Sequence, residues 1–181
     1  MTVITNFYSV DNQIGTDLNN PQTISVTTNP EIPGPRSNLG DICQGVGGSQ
    51  WIFVKASTTV TALNMVMIDE SFNANNAVCA TASMSLTKTL AIAEFQASLA
   101  NPGDYFWAAL ACRGGALVNV QSTAALGVQM YLSSSTPGAL TTTLVSTTTN
   151  EIIYNIFVAP LSLASTTAAI EVIFSYPRAS N

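Results

Sequence analysis

The sequence predicts an all-β protein, a small β-barrel or β-sandwich with an extended, Pro-rich N-terminal arm. Three observations carry that expectation. From Leu39 onward, short apolar segments rich in β-branched and aromatic residues alternate with polar turns. The turn signals recur roughly every 8–14 residues, which is the spacing of sandwiches and barrels. No long segment shows helical periodicity. The first 39 residues differ: they hold Pro21, Pro30, Pro33 and Pro35, four of the eight prolines in the 181-residue chain. Prolines this close together forbid helix and disfavour central strands. The chain therefore divides into an arm over 1–39 and a barrel or sandwich domain over 40–181.

Within the arm, residues 23–26 are a short strand and Pro33-Gly34-Pro35 is a turn or an extended kink. An extended chain advances about 3.3 Å per residue, so the arm reaches on the order of 130 Å. A soluble monomer has little use for such reach, and the arm's apolar residues gain by docking on another surface. The expected interface residues are Phe7, Tyr8, Ile14, Leu18, Ile24, Val26, Ile32, Pro33 and Pro35.

The domain reads as follows. Gly40-Asp41 opens a strand at 42–44, and Gly45-Val46-Gly47-Gly48 is a loop. Trp51-Ile52-Phe53-Val54-Lys55 is aromatic and β-branched, hence a strand. Residues 58–68 are a second strand, 69–76 a polar turn, and 78–82 a short strand. Residues 90–95 fit either a strand or a helical turn. Pro102-Gly103-Asp104 is a turn signal. The apolar run 105–111, the Arg113-Gly114-Gly115 turn and the return 116–120 read as a hairpin. Strands at 128–132, 140–144, 151–158 and 168–176 complete the set. The run 151–158 alternates imperfectly, as a strand buried on both faces would, and Glu171 belongs at an edge or an interface rim. The tracts 133–136 and 141–149 are Ser/Thr-rich and read as exposed strands or loops. No repeat recurs at a fixed period, which disfavours a solenoid or propeller.

Composition excludes several functions. Only 8% of residues are charged, against roughly 25% in an average soluble protein. Five basic and ten acidic residues give a net charge of −5, so there is no basic footprint for nucleic acid. The chain has no histidine, which removes Ser-His-Asp and Cys-His catalysis and His-based metal sites. The longest apolar run, 105–112, falls far short of the roughly 20 residues that span a bilayer. The first six residues carry no positive charge and no apolar core of a secretory signal. Cys43, Cys79 and Cys112 lack any C-x-x-C spacing and read as buried thiols.

The remaining chemistry-bearing patterns are weak. Asp69-Glu70 are adjacent and point in different directions, so they read as a solvated turn; with Asn73 and Asn75 they could offer calcium hard oxygens, but not at EF-hand spacing. Gly45–Ser49 has the glycine density of a phosphate cradle without the following Lys-Ser/Thr or helix. Lys55 and Lys88 are the only lysines, and no motif pairs either with a serine. No catalytic, cofactor or metal residue is expected. Trp51, Tyr105, Phe106, Trp107 and Tyr131 fit core better than a carbohydrate platform. The low charge requires a surface of Ser, Thr, Asn and Gln, or one covered by other subunits.

Laid out in order, the segments resemble those of capsid decoration (cement) proteins of tailed bacteriophages. The likeness begins at Gly48-Ser49-Gln50-Trp51-Ile52-Phe53-Val54-Lys55-Ala56 and continues in Val66-Met67-Ile68-Asp69-Glu70. Gly103-Asp104-Tyr105-Phe106-Trp107, leading to Arg113-Gly114-Gly115-Ala116, is similar to that family's next hairpin. Gly127-Val128-Gln129-Met130-Tyr131-Leu132-Ser133 through Pro137-Gly138-Ala139-Leu140, and the ending Ser175-Tyr176-Pro177-Arg178, extend it over roughly residues 40–178. The arm and the 141–149 tract match nothing in the family.

The resemblance implies a virion protein made in the host cytoplasm and seated on the outer capsid surface. It implies a homotrimer whose partner is the major capsid protein, with no nucleic acid, membrane or cofactor involved. Its work would be mechanical: bridging neighbouring capsid subunits through interfaces of about 1,000 Å² or more. The arm would add a strand to a neighbour or lie across it, ordering on contact. The alternative expectation is a trimeric phage tail, fibre or adhesin-type module that binds a host-surface glycan through aromatics.

Overall fold

The computed structural model describes residues 18, 20–22, 37–78, 89–121, 128, 130–133, 135–142, 152–158 and 169–180. Among them the chain is β-structure with one 3₁₀ turn, Val46–Gly48, and no α-helix. The strands are β1 (Ile42–Gln44), β2 (Gln50–Ala56), β3 (Val60–Thr61), β4 (Met65–Ile68), β5 (Asn73–Asn76) and β6 (Thr89–Ile92). They continue with β7 (Leu99–Ala100), β8 (Tyr105–Asn119), β9 (Met130–Leu132), β10 (Leu140–Thr141), β11 (Ile152–Val158) and β12 (Ala169–Ser180).

Ten strands form one sheet in the order β1-β2-β5-β4-β6-β8-β12-β11-β9-β10. A further pairing of β2 with β8 closes β2, β5, β4, β6 and β8 into a five-stranded barrel. The all-β barrel expectation is met. The remaining strands grow from this ring: β12, β11, β9 and β10 extend from the second half of β8. A parallel bridge between Val120 and Leu140 then brings β10 back to the end of β8.

Two buried sets follow from the period of two along each strand. Ile52, Val54, Val66, Ala74, Ala91 and Phe106 belong to one cluster, to which every ring strand contributes. The opposite parity, including Trp51, Phe53, Met65, Ile92 and Trp107, joins Val118, Met130, Leu140, Ile156 and Val172 in a larger core. The ring strands β2, β4, β6 and β8 are thus buried on both faces, which is why residues 105–111 read as a continuous apolar run. Fully burying a Trp or Phe contributes on the order of 2–3 kcal/mol, so Trp51, Phe53, Phe106 and Trp107 dominate this region.

Several expectations change. Arg113-Gly114-Gly115 is not a hairpin turn, because β8 runs through it as one 15-residue strand. Ala116 stands opposite Val172 and Cys112 opposite Phe174, so Arg113, Gly114 and Gly115 face the single residue Ile173. That is a bulge, and Gly115 takes a φ of 93° in it. A Cβ at Gly115 would lie 2.0 Å from Glu171 Oε1, so glycine is required. The polar turn at 69–76 is shorter than expected. Asp69 Oδ1 accepts from the backbone N–H groups of Ser71 and Asn73, closing the turn, and β5 begins at Asn73. Asn-rich β5 has poor strand propensity; antiparallel pairing with β4 and parallel pairing with β2 override it.

The expected strand 58–68 is broken into β3 and β4 at Leu63, whose φ is 63°. Residues 90–95 resolve as a strand that ends at Ile92. Glu171 pairs with Leu117 of β8, and on its other side the pairing with β11 ends one residue away, at Val172. The run 152–158 is not buried on both faces, for Phe157 is 62% exposed between buried Ile156 and Val158. The expected strands at 23–26 and 79–82 and the 143–149 tract lie outside the described residues.

Candidate functional site

The site begins with β11 and β12. Their pairing sets Phe157 opposite Ile173 on the face that points away from the core. Ile156, Val158, Val172 and Phe174 turn inward and fix the strands, so the outer pair sits on a rigid support. Phe157 is 62% exposed and Tyr176, further along β12, is 43% exposed. Single exposed apolar residues are ordinary, but Phe157 and half-buried Ile173 stand side by side on neighbouring strands, while the Tyr176 hydroxyl donates to Gln50 Oε1.

The bulge in β8 supplies the third component. Arg113 is exposed and lines a shallow groove of about 300 Å³ with Phe157, Ile173, Phe174 and Ser175. Bulges commonly re-aim a side chain, and here the extra residues opposite Ile173 put exposed Arg113 on the groove that Phe157 also lines. Arginine beside an aromatic anchor is the composition of protein-interface hot spots.

A second, polar groove of about 520 Å³ lies where the ring meets the added strands; its lining includes Thr61, Asn64, Asn76, Asn119, Gln121 and Thr136. Its amides are largely engaged with one another. Asn119 Nδ2 donates to Asn64 Oδ1 (2.8 Å) and to the Ala62 carbonyl (2.9 Å). Asn64 Nδ2 donates to Asn76 Oδ1 (3.2 Å) and to the Pro137 carbonyl (3.0 Å). Gln121 Nε2 donates to Thr136 Oγ1, and Gln121 Oε1 accepts from Ser133 and Ser135. The network clamps the 61–64 and 135–138 loops to the end of β8.

Glu94 sits on the same seam. It is 9% exposed, and its Oε1 accepts from the Leu117 backbone N–H at 3.1 Å, while Oε2 is buried with no partner among the described residues. Burial raises its pKa from 4.5 to about 8, partly offset by the Leu117 hydrogen bond. No group of three or more His, Cys, Asp or Glu residues among the described ones is placed to hold a metal.

Among the expected interface residues only Leu18 is described. It is 1% exposed and packs inside this chain's own core, so it is not available to dock on a neighbour. Gln22 exchanges two backbone hydrogen bonds with Tyr105, fixing the chain just after Leu18 against the start of β8. Phe7, Tyr8, Ile14, Ile24, Val26, Ile32, Pro33 and Pro35 lie outside the described residues.

Trp51, Phe106 and Trp107 are buried and form no exposed carbohydrate platform, and Tyr105 and Tyr131 are half-buried. The glycine-rich 45–49 loop has a packing cause: a Cβ at Gly45 would meet Ser49 Oγ at 2.4 Å and Trp51 Nε1 at 2.8 Å. Cys43 and Cys112 are buried, as expected, and Cys79 lies outside the described residues. Sequence reasoning missed Phe157 and Arg113 as neighbours. The one available signal was Arg113-Gly114-Gly115 between two apolar runs, which fits a bulge as well as a turn. No family model and no curated protein matches the chain.

Proposed function

We propose that the chain is a non-enzymatic structural subunit that works by being held between neighbours. Within that class we assign it to decoration of the outer surface of a tailed-phage head. The observation that carries the reading is the β11–β12 face: exposed Phe157 opposite half-buried Ile173, over a groove that Arg113 also lines, on a chain with only 8% charged residues. Such a face costs free energy in water and regains it when covered. The specific role in a capsid is supported by the resemblance of residues 40–178. Each copy would stabilise the head by burying area against neighbouring major capsid subunits, as part of a homotrimer.

The test is binding to heads of the phage that carries this chain, assembled without it. Full-length protein added to expanded heads should co-sediment at a fixed ratio to the capsid protein and raise the temperature at which heads release DNA. Heads that bind none, or that bind it without gaining heat resistance, would overturn the reading.

A glycan-binding module is the second reading. The observation that favours it is the uncharged groove of Asn64, Asn76, Asn119 and Gln121, whose rotamers are fixed by their own hydrogen bonds. Glycan binding by full-length protein with no affinity for heads would move this reading ahead.

A further inference from the structure

We infer that the polar groove at the end of β8 binds a neutral saccharide through its hydroxyl groups, and that it selects against anionic sugars. The inference rests on the second of the two readings above; it names the ligand chemistry of that groove and the atoms that recognise it. Three observations carry it.

The first is that the polar atoms left over in the groove are fixed before any ligand arrives. Three backbone carbonyls orient the three asparagine amides, because a carbonyl can only accept and must therefore face an N–H. The Ala62 carbonyl takes Asn119 Nδ2, the Pro137 carbonyl takes Asn64 Nδ2 and the Thr59 carbonyl takes Asn76 Nδ2. Asn119 Nδ2 gives its other proton to Asn64 Oδ1, and Asn64 Nδ2 gives its other proton to Asn76 Oδ1. Asn64, only 5% exposed, thus ties the network together. Asn119 Oδ1 and the second Nδ2 proton of Asn76 have no partner among the described residues. The Thr61 hydroxyl also lines the groove, and Thr136 Oγ1 accepts from Gln121 and keeps its own proton to donate. One set acceptor, one set donor and two hydroxyls that can turn match a sugar, whose hydroxyls each donate and accept. Groups oriented in advance also lower the ordering cost of binding.

The second is shape. The groove measures about 520 Å³, within the roughly 300–1,000 Å³ of small-molecule sites. Its walls are held by backbone bonds: Met65 N–H donates to the Gly138 carbonyl (2.7 Å), Gly138 N–H to the Ala77 carbonyl (2.7 Å) and Gln121 N–H to the Leu140 carbonyl (2.8 Å). Val120, Pro137 and Ala139 supply apolar contact for the C–H groups of a sugar ring.

The third is charge. No residue that lines the groove is charged, and the chain as a whole carries −5. A carboxylate or phosphate on the ligand would find no cation to pair with and would meet the set acceptor Asn119 Oδ1. A neutral sugar loses nothing by entering such a site.

The test uses isotope-labelled full-length chain, titrated in turn with maltose, cellobiose, lactose and diacetylchitobiose and followed by NMR. At least one should bind with a millimolar or lower Kd and shift the side-chain amide signals of Asn64, Asn76 and Asn119. The uronic counterpart of the best binder, in which one CH2OH is a carboxylate, should bind at least fivefold more weakly. Asn119→Ala removes the set acceptor and should abolish binding. Thr61→Trp, at an exposed position of β3, leaves the amide network intact and puts an indole in the groove; it should weaken binding at least tenfold. A sugar that shifts signals elsewhere on the chain, a Thr61→Trp variant of undiminished affinity, or a uronic counterpart that binds equally well would overturn the inference while leaving the chain a glycan binder. No binding by any of the four sugars would overturn the inference and the glycan reading together.

Discussion

The closed ring and the added sheet are built from similar apolar strands, yet they end in different states. β2 and β8 of the ring are covered on both faces, so Trp51 and Ile52, or Phe106 and Trp107, are adjacent in sequence and all buried. β11 in the added sheet is covered on one face, so Ile156 and Val158 are buried while Phe157 between them is 62% exposed. The local sequence hardly distinguishes the two. What differs is whether another layer lies against the second face, and that is decided by topology: the β2–β8 pairing closes the ring, whereas β12 and β11 leave it at the bulge. An apolar strand with an uncovered face carries information about partners that a core strand does not.

The largest expected effect comes from the ring. Trp107 is fully buried against Phe53, with ring centroids 5.1 Å apart. Trp107→Ala should destabilise the chain by about 3–5 kcal/mol, read from the denaturant midpoint at unchanged slope. Trp107→Phe sharpens the point. The indole Nε1 is buried with no partner among the described residues, so Phe removes an unsatisfied donor while keeping most of the volume. It should cost under ~1.5 kcal/mol. If Trp107→Ala were as mild as this, the two-sided burial of the ring would not be what holds the fold.

An intermediate effect comes from the seam. Glu94 keeps its proton in the folded chain up to about pH 8, whereas its ordinary value is 4.5. Below about pH 4.5 both folded and unfolded chains hold the proton and the carboxyl imposes no penalty. Between these values only the unfolded chain releases it, so stability falls as pH rises, by up to ~1.4 kcal/mol per pH unit. Above about pH 8 both forms are ionised and the loss is complete. Glu94→Gln keeps an oxygen for the Leu117 N–H and cannot ionise. It should flatten this slope and raise stability at pH 7 by roughly 1–3 kcal/mol, the new amide donor offsetting part of the gain. An unchanged pH–stability profile would mean that the Glu94 carboxyl is not held out of water against β8.

The ring was the more legible region. Strand 51–55 and run 105–111 were readable because burial on both faces leaves an unbroken aromatic and β-branched signal. The strand β5 was not, since Asn73-Ala74-Asn75-Asn76 is held by two neighbouring strands and not by its own propensity. Gly114-Gly115 was misread because turns and bulges both need backbone freedom, and only the partner strand β12 distinguishes them. Phe157 was hidden in an apolar run that gives no sign of which face is covered. Leu18, grouped with the arm by the prolines that follow it, is a core residue because the chain around Gln22 pairs with Tyr105. In each case the missing information was a long-range contact.

The smallest stability effect comes from Phe157, and it is the most discriminating. Replacing an exposed side chain away from caps and core usually shifts stability within about 0.5 kcal/mol. Phe157→Ser should therefore leave the thermal midpoint of the dilute chain within about 2 °C, since β11 is held by the inward Ile156 and Val158. Serine even removes an apolar surface that water disfavours, so the sign tilts toward slight stabilisation. The same substitution should lower heat-induced aggregation, because the exposed patch is what adheres nonspecifically when it is uncovered. A loss of several degrees would mean that Phe157 is structural, and that the added sheet, like the ring, spends both of its faces on its own fold. A neutral result leaves the phenyl ring with no use inside the chain. Its exposed position on β11, over a groove that Arg113 also lines, is then explained by what it touches outside.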